Sequence, residues 1–235
     1  ILPGVDDGPS SWDESLRILE GMAEIGYTQV TATPHFDSRS MTPDPAVMSA
    51  LAKDLLVVWG DKKPGVPMGA EILFDEYFFQ QEHRQNFPKI GEERSYLVEL
   101  GFGPGSVPSG VEDIFFKFQI KGPCLVLAHP ERIPDLQRDP LRIERISKTG
   151  TYLQLDLMSI VGRYGKEAEK VAQMLLEKGV YDFASSDLHT SKDLGTLKRS
   201  LRKLADWSES EFTRLVCTNP RHLLKGKVDE VRRNA

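Results

Sequence analysis

Cysteine is scarce in this sequence, and its scarcity excludes two classes of protein. Cys124 and Cys217 are the only cysteines among 235 residues, too few for a disulfide-stapled fold. Neither has the arginine six positions later that a cysteine-dependent phosphatase requires, because Pro130 and Leu223 stand there. So few cysteines suit a reducing compartment, and we expect a cytoplasmic protein.

Long apolar runs and an excess of basic residues are also missing. No stretch approaches the ~18 apolar residues of a spanning helix, so membrane insertion is not expected. The formal net charge of -5 argues against a nucleic-acid-binding surface, which is usually basic. The length and the ordinary apolar content predict one domain over residues 1–235.

Two motifs that often bind phosphate or activate a nucleophile are absent. The segment 101–105, Gly-Phe-Gly-Pro-Gly, only superficially resembles a phosphate-binding loop, since the required lysine and the serine or threonine are missing. No Gly-x-Ser-x-Gly motif is present. The chemistry therefore has to come from other residues.

Short apolar segments alternate with helical segments along the chain. Strands are predicted at 28–33, 66–72, 96–100, 123–128, 152–157 and 180–184, and the main helices at 12–25, 45–59, 111–121, 140–148 and 166–178. Ser11 and Glu14 form a predicted capping box for the first helix, which Gly26 ends. This alternation predicts a parallel α/β sheet with right-handed crossovers.

The predicted sheet could be open or closed, and the positions of the polar residues favour a closed barrel. A barrel places the C-terminal ends of all its strands on one rim, whereas an open sheet spreads them along an edge. Residues 1–9 have the character of a loop between a strand and a helix. We therefore expect a further strand upstream of Ile1.

Side chains that bind metals follow the predicted strands. Asp187 and His189 follow the strand at 180–184 with i, i+2 spacing, so both can point to one face. Imidazole and carboxylate ligands without thiolates suit Mn, Fe or Zn, and carboxylates can bridge two or three divalent ions. The other candidate ligands are Asp7, His35, Glu71, Glu99 and His129.

Each of these residues also has an ordinary structural explanation. Asp187 could cap a helix, His129 could be a core histidine, and the two glutamates could be solvated strand ends. Three of the five histidines nevertheless lie at strand ends, whereas His83 and His222 fall in helical or loop segments. Coincidence at so many strand ends is the less favoured explanation, so we predict a metal site.

Two arginines near these ligands are candidates for binding a phosphate. Arg132 lies three residues after His129, and a guanidinium beside metal ions can hold phosphoryl oxygens bidentately. The alternative for Arg132 is a surface salt bridge with Glu131 or Asp135. Arg39, in the loop after His35, is a second candidate for the same role.

Short motifs in a fixed order carry a resemblance to a known family. They are Val5-Asp6-Asp7-Gly8-Pro9, Thr31-Ala32-Thr33-Pro34-His35, Gly69-Ala70-Glu71-Ile72, Leu97-Val98-Glu99-Leu100, Leu127-Ala128-His129-Pro130-Glu131-Arg132, Ser186-Asp187-Leu188-His189 and Asn219-Pro220. The chain resembles the PHP (polymerase and histidinol phosphatase) superfamily, most closely its capsule and exopolysaccharide-operon tyrosine phosphatases. The resemblance implies a distorted seven-stranded (β/α) barrel and a trinuclear metal centre.

The resemblance also implies roles for individual residues. Arg132 matches the phosphate-binding arginine of the family, and the family's first strand ends in a His-x-His pair immediately before the segment matching Ile1. Some members carry an arginine shortly after the Asp-x-His motif, where this chain has Lys192, Asp193 and Leu194. The implied ligand sets are Asp7, His35 and His189 for one ion, Glu71, Glu99 and His129 for another, and Asp187 with Glu71 for a third.

The predicted function is that of a metal-dependent phosphomonoesterase, specifically a protein tyrosine phosphatase. Its catalytic residues would be Arg132, Asp187 and His129. The resemblance implies a phosphotyrosine-containing partner, the tyrosine autokinase that controls polysaccharide export. Two alternatives remain at this point, a phosphoesterase acting on a small ester such as histidinol phosphate and a non-catalytic metal-binding barrel.

Overall fold

Six short parallel strands form one sheet in the computed structural model, which describes residues 1–36, 44–76, 78, 87–92 and 95–232. The strands follow one another in space as they do in the chain, from β1 to β6, and each neighbouring pair is parallel. The order does not reverse, as it would in a doubly wound sheet. The strands are β1 (His35–Phe36), β2 (Glu71–Leu73), β3 (Ser95–Glu99), β4 (Cys124–Ala128), β5 (Tyr152–Asp156) and β6 (Phe183–Ser185).

Helices connect the strands, and the predicted α/β alternation is confirmed. Helix α2 has the predicted bounds, and α3, α5 and α6 end one residue earlier than predicted. Among the described residues, no helix combines the length and apolarity needed to cross a bilayer. The helices are α1 (Trp12–Ile25), α2 (Pro45–Trp59), α3 (Val111–Ile120), α4 (Pro134–Arg138), α5 (Pro140–Ser147), α6 (Lys166–Glu177), α7 (Leu194–Trp207), α8 (Glu209–Phe212) and α9 (Asn219–Leu224).

The ends of α1 show which part of the predicted capping box forms. Ser11 Oγ accepts a hydrogen bond from the backbone N–H of Glu14, and Gly26 ends the helix with a φ of 109°. The Glu14 carboxylate accepts hydrogen bonds from Thr190 Oγ1 at 3.1 Å and Ser191 N at 2.7 Å. Glu14 thus ties the loop after β6 to the start of α1, a tertiary contact in place of the predicted local one.

The predicted strand at 28–33 is wrong in its bounds, although its path runs beside residues 65–72. Val30 N donates to Gly65 O and Ala32 N donates to Pro67 O, both at 2.9 Å. Regular pairing is confined to His35–Phe36 beside Glu71 and Ile72. The physical reason is that Pro34 and Pro67 have no backbone N–H to give to a ladder.

Both faces of the sheet are covered, as the nearly continuous apolar run of β4 predicts. Leu125 and Leu127 pack into the large core beneath the helices. Val126 and Ala128 point to the other face, into a smaller cluster with Phe183 and residues of the C-terminal segment. The sheet is therefore a rigid support for whatever follows its strand ends.

Candidate metal centre

The residues predicted as ligands come together at one edge of the sheet. Asp7, His35 and His189 form one group whose ligand atoms lie within 4.8 Å of one another, and His35, Glu71 and Glu99 form a second. The two groups share His35, so the imidazole ring stands between them. The described part of the chain thus places carboxylates and imidazoles close enough together to hold a divalent ion.

In the first group, two imidazoles face one carboxylate oxygen. His35 Nε2 and His189 Nε2 each lie 3.3 Å from Asp7 Oδ1. The ring of His189 is oriented by a 2.9 Å contact between its Nδ1 and the backbone O of Asp187. This contact directs Nε2 of His189 toward the site, which is how metal-binding histidines are usually fixed.

In the second group, the ligands are more deeply buried. His35 Nδ1 lies 3.3 Å from Glu71 Oε2 and 3.6 Å from Glu99 Oε1. His129 Nε2 lies 3.0 Å from Glu71 Oε1 and 4.0 Å from Glu99 Oε2. His129 therefore lies beside the two glutamates with which the resemblance groups it.

The backbone around the site is held in unusual conformations. His129 and Asp187 are the non-glycine residues with positive φ among those described, at 30° and 41°. An L-residue in this region is strained by about 1 kcal/mol or more, and such strain concentrates at functional sites. The neighbouring Asp6 does not face the ligands, because its carboxylate accepts from the backbone N–H groups of Gly8 and His35.

Arg132 joins the centre from the turn after β4. Its Nη1 lies 3.1 Å from Asp156 Oδ2 and also donates to Asp187 Oδ2. Its guanidinium stacks on Tyr164, 4.0 Å from the ring centroid, and lies 5.4 Å from the centroid of Phe102. The alternative of a surface salt bridge with Glu131 or Asp135 is thus wrong, because the partners are at the site.

A buried network supports this arginine from below. Glu131 is fully buried and accepts hydrogen bonds from Ser159 Oγ at 2.8 Å, Tyr181 Oη at 3.0 Å and the backbone N–H of Asp156 at 3.0 Å. Burial raises the pKa of the Glu131 carboxyl. The network fixes the end of β5 and thereby the position of Asp156 beneath Arg132.

The crowding of charge shifts the pKa values of these side chains. Burial, followed by the charge of Glu71, raises the pKa of Glu99 to about 7. Burial lowers the pKa of His129, but its ion pair with Glu71 outweighs this and raises it to about 9. For Asp187, burial is opposed by His129, His189 and Arg132, which together lower its pKa.

One ring nitrogen shows that the site fits a cation. Nδ1 of His35 is buried and has no hydrogen-bond partner. A buried nitrogen without a partner is costly, whereas an imidazole nitrogen beside carboxylate oxygens is a good ligand for Mn, Fe or Zn. Nδ1 of His35 also faces two glutamates, so a divalent cation would satisfy all three groups.

All of the candidate ligands except Glu71 line an open cleft of about 380 Å³. Arg163 stands at its edge in a bidentate ion pair with Asp193, with both N···O distances at 3.2 Å. Asp193 lies in the segment where some members of the resembled family carry an arginine. The other lining residues include Phe102, Met158, Tyr164 and Thr190.

The structure brings most predicted site residues together but reveals others that the sequence reasoning missed. Arg39 and His83 lie outside the described residues. Asp156 ends β5 and could have been found by the strand-end rule that identified Glu99. Phe102 and Tyr164 lie in loops and have no signature in the sequence.

A parallel α/β sheet with clustered imidazole and carboxylate ligands and an arginine at its C-terminal edge defines a metal-dependent enzyme of the phosphoesterase type. The chain belongs to the CpsB/CapC family of capsular polysaccharide synthesis, whose model matches residues 1–225. This match confirms the resemblance drawn from the motifs.

Individual relatives agree with the family assignment. Tyrosine-protein phosphatase YwqE of Bacillus subtilis (strain 168) is 27% identical over 194 residues, which is 82% of this chain and 76% of that protein. Tyrosine-protein phosphatase CpsB of Streptococcus pneumoniae is 23% identical over 207 residues, 80% of each chain. A solved structure from work on YwqE and CpsB, described as unique metal-dependent tyrosine phosphatases, superposes with a TM-score of 0.82 at 26% identity, covering 95% of this chain and 91% of that one.

Proposed function

We propose that this protein is a metal-dependent protein tyrosine phosphatase that acts on a tyrosine-phosphorylated protein of capsular polysaccharide synthesis. The observation that carries this proposal is the joining of a clustered ligand set to Arg132 in one open cleft. The tyrosine phosphatase relatives and the related structure support the same activity. We further propose a bacterial tyrosine autokinase as the substrate and the cytoplasm as the location.

The ligand residues have separate tasks in this proposal. Asp7, His35 and His189 would hold one ion, and Glu71, Glu99 and His129 another, with Asp187 available to a third. Bound divalent ions would lower the pKa of water and polarise the phosphoryl oxygens. The strained backbone at His129 and Asp187 pre-orients these side chains, so little reorganisation is needed when substrate binds.

Arg132 would bind the phosphoryl group directly. Its guanidinium is held by Asp156 and stacked on Tyr164, so the side chain has little freedom to lose when it binds phosphate. A fixed planar donor suits the equatorial oxygens of the phosphoryl group in the transition state of its transfer. Arg163 lies at the edge of the cleft, where Asp193 balances its charge.

A second cavity, between β1 and β6, supports the further proposal of a closed, seven-stranded barrel in a single domain. A cavity of about 210 Å³ lies between residues 29–35 and residues 183–189. Among the described residues, no strand pairs with the outer edge of β1 or β6. A crystal structure of the protein tests this: a strand between β1 and β6 is expected, and a covering helix or loop would refute closure.

Phosphate release from a phosphotyrosyl peptide is the direct test of the activity. We expect purified protein loaded with Mn²⁺ to release phosphate and to contain at least two ions per chain by elemental analysis. Metal-loaded protein that binds the peptide without turnover would refute the enzyme assignment. Faster turnover of histidinol phosphate than of the peptide would instead refute the substrate class.

A further inference from the structure

We propose that Phe102 binds the aromatic ring of the substrate and makes the cleft select aryl phosphates over alkyl phosphates. This inference rests on the proposed tyrosine phosphatase activity, because it names the residue that would recognise the substrate's ring. Phe102 lines the cleft in the loop after β3, and 42% of its surface is exposed.

Phe102 offers apolar surface in a cleft that is otherwise polar. Most of the lining side chains are charged groups or imidazoles, and Met158 is only 1% exposed, so it presents almost no surface to a ligand. Tyr164 is largely covered by the guanidinium of Arg132, 4.0 Å from the ring centroid. Among the described lining residues, Phe102 is therefore the aromatic side chain with the most surface available to a second ring.

The position of Phe102 fits the geometry of an aryl phosphate. Its ring stacks on His129, with centroids 5.7 Å apart and planes at 23°, and lies 5.4 Å from the guanidinium carbon of Arg132. Only one oxygen separates the phosphorus of phosphotyrosine from its ring. A phosphate between Arg132 and the ligands therefore brings the substrate ring into the neighbourhood of Phe102.

The loop that carries Phe102 is folded by its own hydrogen bonds. Ser106 Oγ donates to Gly101 O, and Ser106 N donates to Gly103 O at 3.1 Å, so the loop folds back on itself. A side chain at Gly101 would bring its Cβ within 3.1 Å of Ser106 Cβ. A preorganised aromatic side chain binds a second ring with little loss of conformational entropy. Two aromatic rings prefer an offset or edge-to-face contact.

Binding of unreactive phosphonates separates ring recognition from the chemistry of the leaving group. We would titrate metal-loaded protein with phenylphosphonate and with methylphosphonate and compare the dissociation constants. Phe102→Ala should weaken phenylphosphonate about three- to tenfold, the range for an aromatic pair, and change methylphosphonate less than about twofold. Phe102→Tyr, which keeps the ring, should restore binding of phenylphosphonate.

Phe116→Ala is the matched control, because Phe116 is 52% exposed on α3 and does not line the cleft. It should change neither dissociation constant. Equal weakening of both phosphonates by Phe102→Ala, or no weakening of either, would overturn the role of Phe102 and leave the phosphatase activity standing. Ring-dependent binding in a protein that releases no phosphate from phosphotyrosyl peptide would instead reject the proposed function and keep the ring site.

Discussion

Two clusters of charged side chains lie at opposite ends of the sheet, and they are built in opposite ways. At the end away from the cleft, Arg232 forms a bidentate ion pair with Asp182, with N···O distances of 2.9 and 2.7 Å. The same carboxylate accepts from Leu153 N at 2.9 Å, and the guanidinium stacks 4.4 Å from the centroid of Tyr152. Every charge there has a partner of opposite sign.

The cluster at the cleft is crowded with like charges instead. Glu71 and Glu99 approach the same two imidazoles, and the pKa of Glu99 is raised to about 7 because burial and Glu71 oppose its ionisation. Nδ1 of both His35 and His129 lacks a hydrogen-bond partner. The Asp182 cluster is therefore arranged for stability, whereas the cleft places like charges together at a cost in stability, as the proposed cation site would require.

Metal removal should have the largest effect and should distinguish the roles of the two clusters. Exhaustive chelation should abolish phosphatase activity while the fold, monitored by circular dichroism, is retained, because only the cleft depends on cations. Added Mn²⁺ should restore the activity. Iodoacetamide should have no effect, since neither Cys124 nor Cys217 lines the cleft. Activity that survives chelation, or is lost on alkylation, would contradict the metal-centre assignment.

Replacement of single ligands should have a similar effect. His129→Ala and Asp187→Ala should each lower kcat by more than about 10²-fold. Loss of a residue that only supports a metal ligand typically costs up to about 10²-fold, and loss of a ligand should cost more. His222→Ala is the matched control, because His222 lies in α9, 3.8 Å from Glu230, and outside the cleft. An effect of the control as large as that of the ligand variants would show that the assay reports stability.

Arg132→Ala should lower kcat about 10²-fold, the usual consequence of losing one preorganised donor to the transition state. The metal content should not change, because Arg132 contacts ligands but offers no ligand atom itself. Arg132→Lys should recover only part of the loss, since an ammonium keeps the charge without the planar fork. Unchanged kinetics of Arg132→Ala on phosphotyrosyl peptide would remove the residue from the site.

Matched amide substitutions compare the stabilities of the two clusters. Asp182→Asn should lower the melting temperature by roughly 2–10 °C, since weakening the charged hydrogen bonds of this part-buried pair costs about 1–3 kcal/mol. Glu99→Gln should leave the metal-free melting temperature at pH 8 unchanged or raise it. The sign follows from the folded pKa of about 7, above the unfolded value, so ionised Glu99 destabilises the fold at pH 8. An equal fall in melting temperature in both variants would contradict the contrast between the two clusters.

The last comparison is the pH dependence of metal affinity. In the metal-free protein His129 has a pKa of about 9 and Glu99 of about 7, and the neighbouring carboxylates also raise the pKa of His35, so an incoming ion displaces at least one proton between pH 7 and 9 and at least two below pH 7. Affinity should therefore fall by at least about tenfold per pH unit from 9 to 7, and more steeply below. Calorimetry in buffers of different ionisation enthalpy measures the released protons. Affinity that does not change between pH 6 and 8 would contradict the assigned shifts.

Much of the site was predictable because ligands at the ends of parallel strands are a local property of the chain. The apolar composition of Cys124–Ala128 identifies it as a buried strand. The residue that follows it, His129, must then lie at the C-terminal edge of the sheet. The bounds of β1 were not predictable in this way. Propensity pointed to residues 28–33, whereas the missing N–H groups of Pro34 and Pro67 confined regular pairing to His35–Phe36.

The sequence by itself determined the α/β winding, the family and the group of imidazoles and carboxylates that gather at the strand ends, because each follows from short patterns in a fixed order. Tertiary structure alone decided the partners of those residues. Asp156 lies beneath Arg132, and Phe102 stacks on His129, through contacts between segments more than twenty residues apart. Such contacts depend on how separate loops pack over the sheet, and the packing energy that selects them is spread over many side chains, none of which marks the partner in advance.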